Sequence, residues 1–86
     1  MSYHVTWRPS AEQHLAQLWL NAIDRNAMTI AANTIDADLA QDPLAVGESR
    51  SGATRIYIVS PLAVYYTVDV ASHQVAVWAV WCRRGP

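Results

Sequence analysis

The stretch TRIYIVSPLAVYYTVDVASHQVAVWAVWC, Thr54 to Cys82, decides the fold. Apolar residues recur there with a period of two in TRIYIVS, break at Ser60-Pro61, resume in LAVYYTVDV, turn at ASH and resume in QVAVWAVWC. Period two bounded by turn residues is the pattern of β-strands, and connections this short join antiparallel neighbours. The stretch therefore reads as a three-stranded meander. Strict alternation in the last strand puts Val75, Val77, Ala79 and Trp81 on one face and Ala76, Trp78 and Val80 on the other. Both faces are apolar, so this strand is expected at the centre of the sheet, with Trp78 and Trp81 pointing to opposite sides.

Working outward, Pro43 to Ala53 carries Gly47, Ser49, Ser51 and Gly52 without sustained periodicity and reads as a loop. Before it, Met28, Ala31, Ala32, Ile35 and Leu39 mark one helical face that Asp42-Pro43 terminates. Ala11, Leu15, Leu18 and Ala22, with Ile23 alongside, mark an earlier helix from about Ser10 to Ile23. Ser10 followed by Gln13 has the spacing of a capping box at its start. The opening SYHVTW alternates as a half-buried strand and ends at Pro9. The order strand, helix, helix, three strands defines an α+β domain, an antiparallel sheet with a helical hairpin packed on one face. Residues 1–86 suffice for one such domain with one core.

Composition excludes several classes of function. With 52% hydrophobic and 15% charged residues, the chain is not of the disordered type. The opening residues lack a basic segment followed by an apolar run, and no stretch reaches the length of a membrane span, so a cytoplasmic protein without membrane contact is expected. The single Cys82 forms no internal disulfide, in keeping with a reducing compartment. His4, His14 and His73 lack metal-ligand spacing, so neither metal nor cofactor is expected. A net charge of -1 gives no bulk attraction to nucleic acid, and any phosphate site must be local. All six basic residues are arginine, and four of them, Arg50, Arg55, Arg83 and Arg84, lie in the second half of the chain. A guanidinium suits bidentate phosphate or carboxylate binding better than an ammonium does.

YHVTWRPSA before a helix, LAQDPLAVG at a helix end, TRIYIV, PLAVYYTVD and the closing VAVWAVWCRR follow one another in a recognisable order. In this arrangement the chain resembles the RelE/ParE superfamily, the toxins of type II toxin-antitoxin systems, also called plasmid stabilisation proteins. The resemblance implies a toxin that causes growth arrest and is neutralised by a cognate antitoxin protein. One branch of the superfamily enters the ribosome as a metal-independent mRNA endoribonuclease; another, the ParE kind, inhibits DNA gyrase by binding. A shared fold does not choose between them.

Cleavage through the 2′-hydroxyl needs a base, an acid and cations facing the charged phosphorane. The resemblance implies phosphate contacts from Arg50 and Arg55 and a proton carried by Glu48, with Tyr65 as a substitute proton carrier and Arg83 as a substitute cation for the developing charge. Trp81 and Arg84 join the RNA-binding set, and Tyr57 is a further stacking or proton-donating candidate. The sequence departs from the nuclease pattern at Ala63, where an arginine is usual, and at Gly85-Pro86, where His and Tyr are usual. These departures suit a binding toxin of the gyrase-inhibiting kind, or a degenerate member. Each candidate also has a structural reading: arginines that are solvated or paired with Glu48, tyrosines that pack the sheet, and a frayed chain end. Trp19 and Leu20 broaden the apolar side of the first helix, as a partner or homodimer surface would, or as a deeply buried helix would.

Overall fold

The computed structural model describes residues 2–83. Seven elements follow one another: β1 (His4–Trp7), α1 (Pro9–Leu20), α2 (Arg25–Gln41), β2 (Glu48–Ser51), β3 (Thr54–Val59), β4 (Leu62–Asp69) and β5 (Gln74–Cys82). The strands form one sheet in the order β1-β5-β4-β3-β2. The expected α+β order is present, and β5 lies inside the sheet between β1 and β4.

Local chemistry sets the helix ends. Pro9 occupies the first turn of α1, where its fixed φ suits the helix and its missing N–H is not needed. The capping box does not form: Arg8 is the N-cap, no side chain caps it, and Ser10 lies inside the helix. Asn21 closes α1, donating from its backbone and its side-chain amide to the Gln17 carbonyl at 3.1 and 3.0 Å. The helix thus ends at Leu20, before Ile23. Asp24 starts α2 by accepting from the Ala27 N–H at 3.0 Å, and Pro43 keeps the chain from continuing it beyond Gln41.

Met28, Ala31, Ile35 and Leu39 fall on one side of α2 because their spacing follows the helical repeat. With Ala11 of α1 they pack on Leu62, Val64 and Tyr66 of β4 and on Val75, Val77 and Val80 of β5. Each large aliphatic side chain so buried contributes about 1.5–3 kcal/mol of transfer free energy. Two carboxylates of α2 bond side chains of the sheet: Trp7 Nε1 on the edge strand β1 donates to Asp36 at 3.2 Å, and the Tyr57 hydroxyl on the inner strand β3 donates to Asp38 at 2.6 Å.

Three features depart from the sequence reading. The segment expected to be wholly loop contains β2, which pairs with β3 through Glu48↔Ile56, Ser49↔Arg55 and Ser51↔Thr54. All four β2 residues are exposed, so no apolar alternation marks the strand. Gly52, with φ at 56°, makes the tight turn into β3. The sheet is also mixed, because β1 pairs with β5 in parallel, from His4↔Gln74 to Trp7↔Val77. The helical hairpin carries the chain over the sheet before the meander begins, and the returning β5 then runs alongside β1 in the same direction. The third departure is a register shift in β5: Tyr66 pairs with Val77 while its neighbour Tyr65 pairs with Ala79. Trp78 is the extra residue of a β-bulge.

Candidate nucleic-acid interface

The bulge decides what the helix-free face of the sheet presents. Before it, Val77 points toward the helices; after it, Val80 and Cys82 do. The expected grouping of Ala79 and Trp81 with Val75 and Val77 is therefore wrong, and so is the placement of Trp78 and Trp81 on opposite faces. Both tryptophans lie on the open face with Tyr65. Trp78 stacks on the Tyr65 ring with centroids 5.2 Å apart and planes 18° apart, and Trp81 packs on it at 4.8 Å with a tilt of 49°. All three are half-buried. Ala63, paired with Ile58 and Trp81, is fully buried beside them.

Next to this aromatic strip the same face carries a groove of about 380 Å³. Ile56 and Ile58 line it, together with Glu48, Arg50 and Arg83. The backbone registers these groups. Glu48 sits opposite Ile56, Ile56 opposite Tyr65, and Ile58 opposite Ala63, which in turn faces Trp81. Arg83 follows β5, where its N–H donates to the Pro61 carbonyl at 2.6 Å. The fold thus assembles Glu48, Arg50, Arg83, Tyr65 and Trp81, five of the residues singled out in the sequence, and adds Trp78. Arg84 and the Gly85-Pro86 ending lie outside the described residues.

Arg55 goes elsewhere. It pairs with Tyr66 and shares that residue's side of the sheet, opposite to Tyr65. Its Nε donates to the Tyr66 hydroxyl at 3.2 Å, and an Nη donates to the carbonyls of Leu44 and Val46 at 3.2 and 3.1 Å, with that of Gly47 at 3.5 Å. The buried Tyr66 hydroxyl in turn donates to the Pro43 carbonyl at 2.8 Å and lies 3.0 Å from that of Val46. Gly47 completes this knot: at φ 70°, a Cβ there would lie 2.5 Å from the Ile56 carbonyl oxygen and 2.6 Å from the Tyr66 hydroxyl. Arg55 and Tyr66 hold the turn that delivers β2, and with it Glu48 and Arg50, to the sheet edge. The acceptors are backbone carbonyls, which every residue type carries, so the residue types of this loop do not signal the role.

Tyr57 also faces the helices. Its hydrogen bond to Asp38, reinforced by partial burial and by the Asp38 charge, pushes its pKa from 10.0 up to about 12. It stays protonated and structural. On the hairpin, Trp19 and Leu20 are exposed, at 38% and 59%, so α1 is not buried all round. Trp19 donates to Thr29 Oγ1 at 3.0 Å, and the Arg25 guanidinium lies 4.9 Å over its ring. Leu15, Trp19, Met28 and Ala32 line a mainly apolar groove of about 440 Å³ between the helices.

No family model and no curated protein sequence matches this chain. Solved structures do. A chain of the toxin-antitoxin complex RelBE2 from Mycobacterium tuberculosis superimposes with a TM-score of 0.79 at 20% identity, over 96% of this chain and all of that one. A chain of the archaeal RelE-RelB complex from Pyrococcus horikoshii superimposes with a TM-score of 0.69 at 13% identity over the full length of both. The chain has the α+β fold of RelE toxin structures. Among the described residues, no helix is long and apolar enough to cross a membrane.

Proposed function

We propose that this chain is the toxin of a toxin-antitoxin pair and that it acts on messenger RNA through the open face of its sheet. The observation that carries this reading is the convergence of Arg50, Arg83 and Glu48 on one groove beside Tyr65, Trp78 and Trp81. The two guanidiniums hold phosphate, Glu48 accepts the 2′-hydroxyl proton as that oxygen attacks phosphorus, Arg83 faces the charge that develops on the phosphorane, and the 5′-oxygen leaves with a proton from solvent water. Arg55 serves by fixing the turn before Glu48. Full-length likeness to chains from two toxin-antitoxin complexes supports an antitoxin as partner, and the exposed Trp19 and Leu20 offer apolar surface for it or for a second copy of the chain. The place of action is the cytoplasm, where messenger RNA and the ribosome are.

A second reading, a toxin that binds its target without cleaving it, is favoured by one observation. Among the described residues, Ala63 leaves the middle of the open face without a cation, and the nearby Arg55 is turned to the other side. DNA gyrase is the target class for that reading. Inducing the protein in bacteria and mapping messenger RNA 5′ ends at early times separates the two. New ends in phase with codons support cleavage; growth arrest with intact messages supports the binding toxin. Unimpaired growth rejects both.

A further inference from the structure

Three aromatic rings in contact on an exposed sheet face are unusual in a chain of only eight aromatic residues, and neither holding phosphate nor moving protons explains them. Their packing is preformed: Tyr65 is fixed between Trp78 and Trp81, and the bulge at Trp78 is what brings both indoles to this side. No hydrophobic partner from the helices covers them, since the helices pack on the other face. The rings adjoin a groove whose described side chains include two guanidiniums against one carboxylate, a local excess of positive charge on a chain with a net charge of -1. One to two strand spacings, about 5–10 Å, separate the aromatic strip from that groove, the scale of one nucleotide from base to phosphate.

We infer that Trp78, Tyr65 and Trp81 form a stacking platform for unpaired RNA bases, so that the isolated chain binds free single-stranded RNA with little preference among bases. This deepens the RNA reading proposed above and rests on it. Every base has a π-face, so a platform of this kind is tolerant of sequence, whereas bases stacked within a duplex cannot reach it. Arg50 and Arg83 add phosphate contacts, which makes the binding sensitive to salt.

The experiment is fluorescence anisotropy of short labelled oligo-U, oligo-C and oligo-A single strands, and of a labelled RNA duplex, titrated with the purified chain at low salt. The expected result is binding of all three single strands with similar affinity, and of the duplex at least tenfold more weakly. Trp78→Leu keeps the apolar bulk and removes the ring; it should weaken single-strand binding at least fivefold, while Trp78→Phe retains most of it. Circular dichroism and thermal melts check that both variants keep the fold. Duplex bound as tightly as single strands, no binding at all, or equal affinity for the Leu and Phe variants overturns the inference. So does a Trp78→Leu defect confined to capture of the antitoxin. Growth arrest by a protein that does not bind RNA sinks the platform and leaves the toxin reading standing; RNA binding by a protein that causes no arrest does the reverse.

Discussion

Trp78 and Trp81 stand three positions apart in β5, yet both rings pack on Tyr65 on the same face of the sheet. In an unbroken strand, residues separated by an odd number of positions face opposite ways. The bulge at Trp78 reverses the parity, so that Val80 and Cys82 continue the inward row begun by Val75 and Val77. The open face gains Trp81 beside Trp78, and the core keeps its aliphatic lining.

Inserting one alanine after Ala79 adds a second extra residue to the bulge and forces a choice. Either Trp81 turns into the core and Val80 to solvent, or the pairing with β4 breaks beyond Tyr65. Each alternative replaces well-packed buried groups, and a loss of more than about 3 kcal/mol is expected. Urea unfolding followed by circular dichroism measures it, with Ala79→Gly, which keeps the residue count, losing far less.

Arg55→Ala is expected to act on stability. The side chain donates to Tyr66 and to carbonyls of the 44–47 turn. Losing charged donors to partly buried acceptors costs about 1.5–3 kcal/mol. Arg55→Lys should recover little, because one ammonium cannot span the same fork of acceptors. A melt unchanged by Arg55→Ala would return this residue to the list of surface candidates.

Gly47→Ala tests the same knot from the other side. The added methyl has to coexist with a φ of 70° and with the Ile56 carbonyl and Tyr66 hydroxyl inside van der Waals distance. Strain of this kind costs about 1–3 kcal/mol. The readout is the urea midpoint, together with faster amide exchange across β2 and β3; an unchanged midpoint would mean that the turn has room to move.

How far the sequence carried these conclusions follows from what each element buries. α2, β4 and the first half of β5 were legible because Met28, Ile35, Leu39, Leu62, Val64 and Val75 repeat with the period of their element and face one core. β2 was not legible, since Glu48, Ser49, Arg50 and Ser51 are all exposed and bury nothing. The bulge was hidden because QVAVWAVWC is apolar at nearly every position, so alternation could not reveal where the parity changes. Glu48, Arg50, Arg83, Tyr65 and Trp81 were picked from the sequence and stand together on one face. Arg55 matched by position, but an arginine bound to loop carbonyls and one bound to phosphate look alike in a sequence; only the register with Tyr66 tells them apart.

The alkaline limb of stability reports on Tyr57. Its pKa is about 12 in the folded chain against 10.0 when free, because the hydroxyl donates to Asp38. The folded state therefore holds a proton that the unfolded state releases, so stability falls as pH rises from 10 toward 12 and the contribution is fully present below 10. Tyr57→Phe removes the titrating group, and its stability should decline less steeply across that window, from a lower starting value. Urea midpoints at stepped pH measure both curves; parallel slopes would show that the Asp38 contact does not persist in solution.

Arg50→Ala and Arg83→Ala separate function from folding. Both side chains are exposed at the groove rim, and exposed substitutions of this sort usually change stability by no more than about 0.5 kcal/mol. If the groove holds phosphate, each variant should melt like the wild type while growth arrest on induction weakens, and the double variant should weaken it further. For RNA binding, each lost phosphate contact should lower the slope of log affinity against log salt by about 0.7. An unchanged slope with weakened arrest would mean that the arginines meet a protein target, and unchanged arrest in the double variant would remove this groove from the toxic surface.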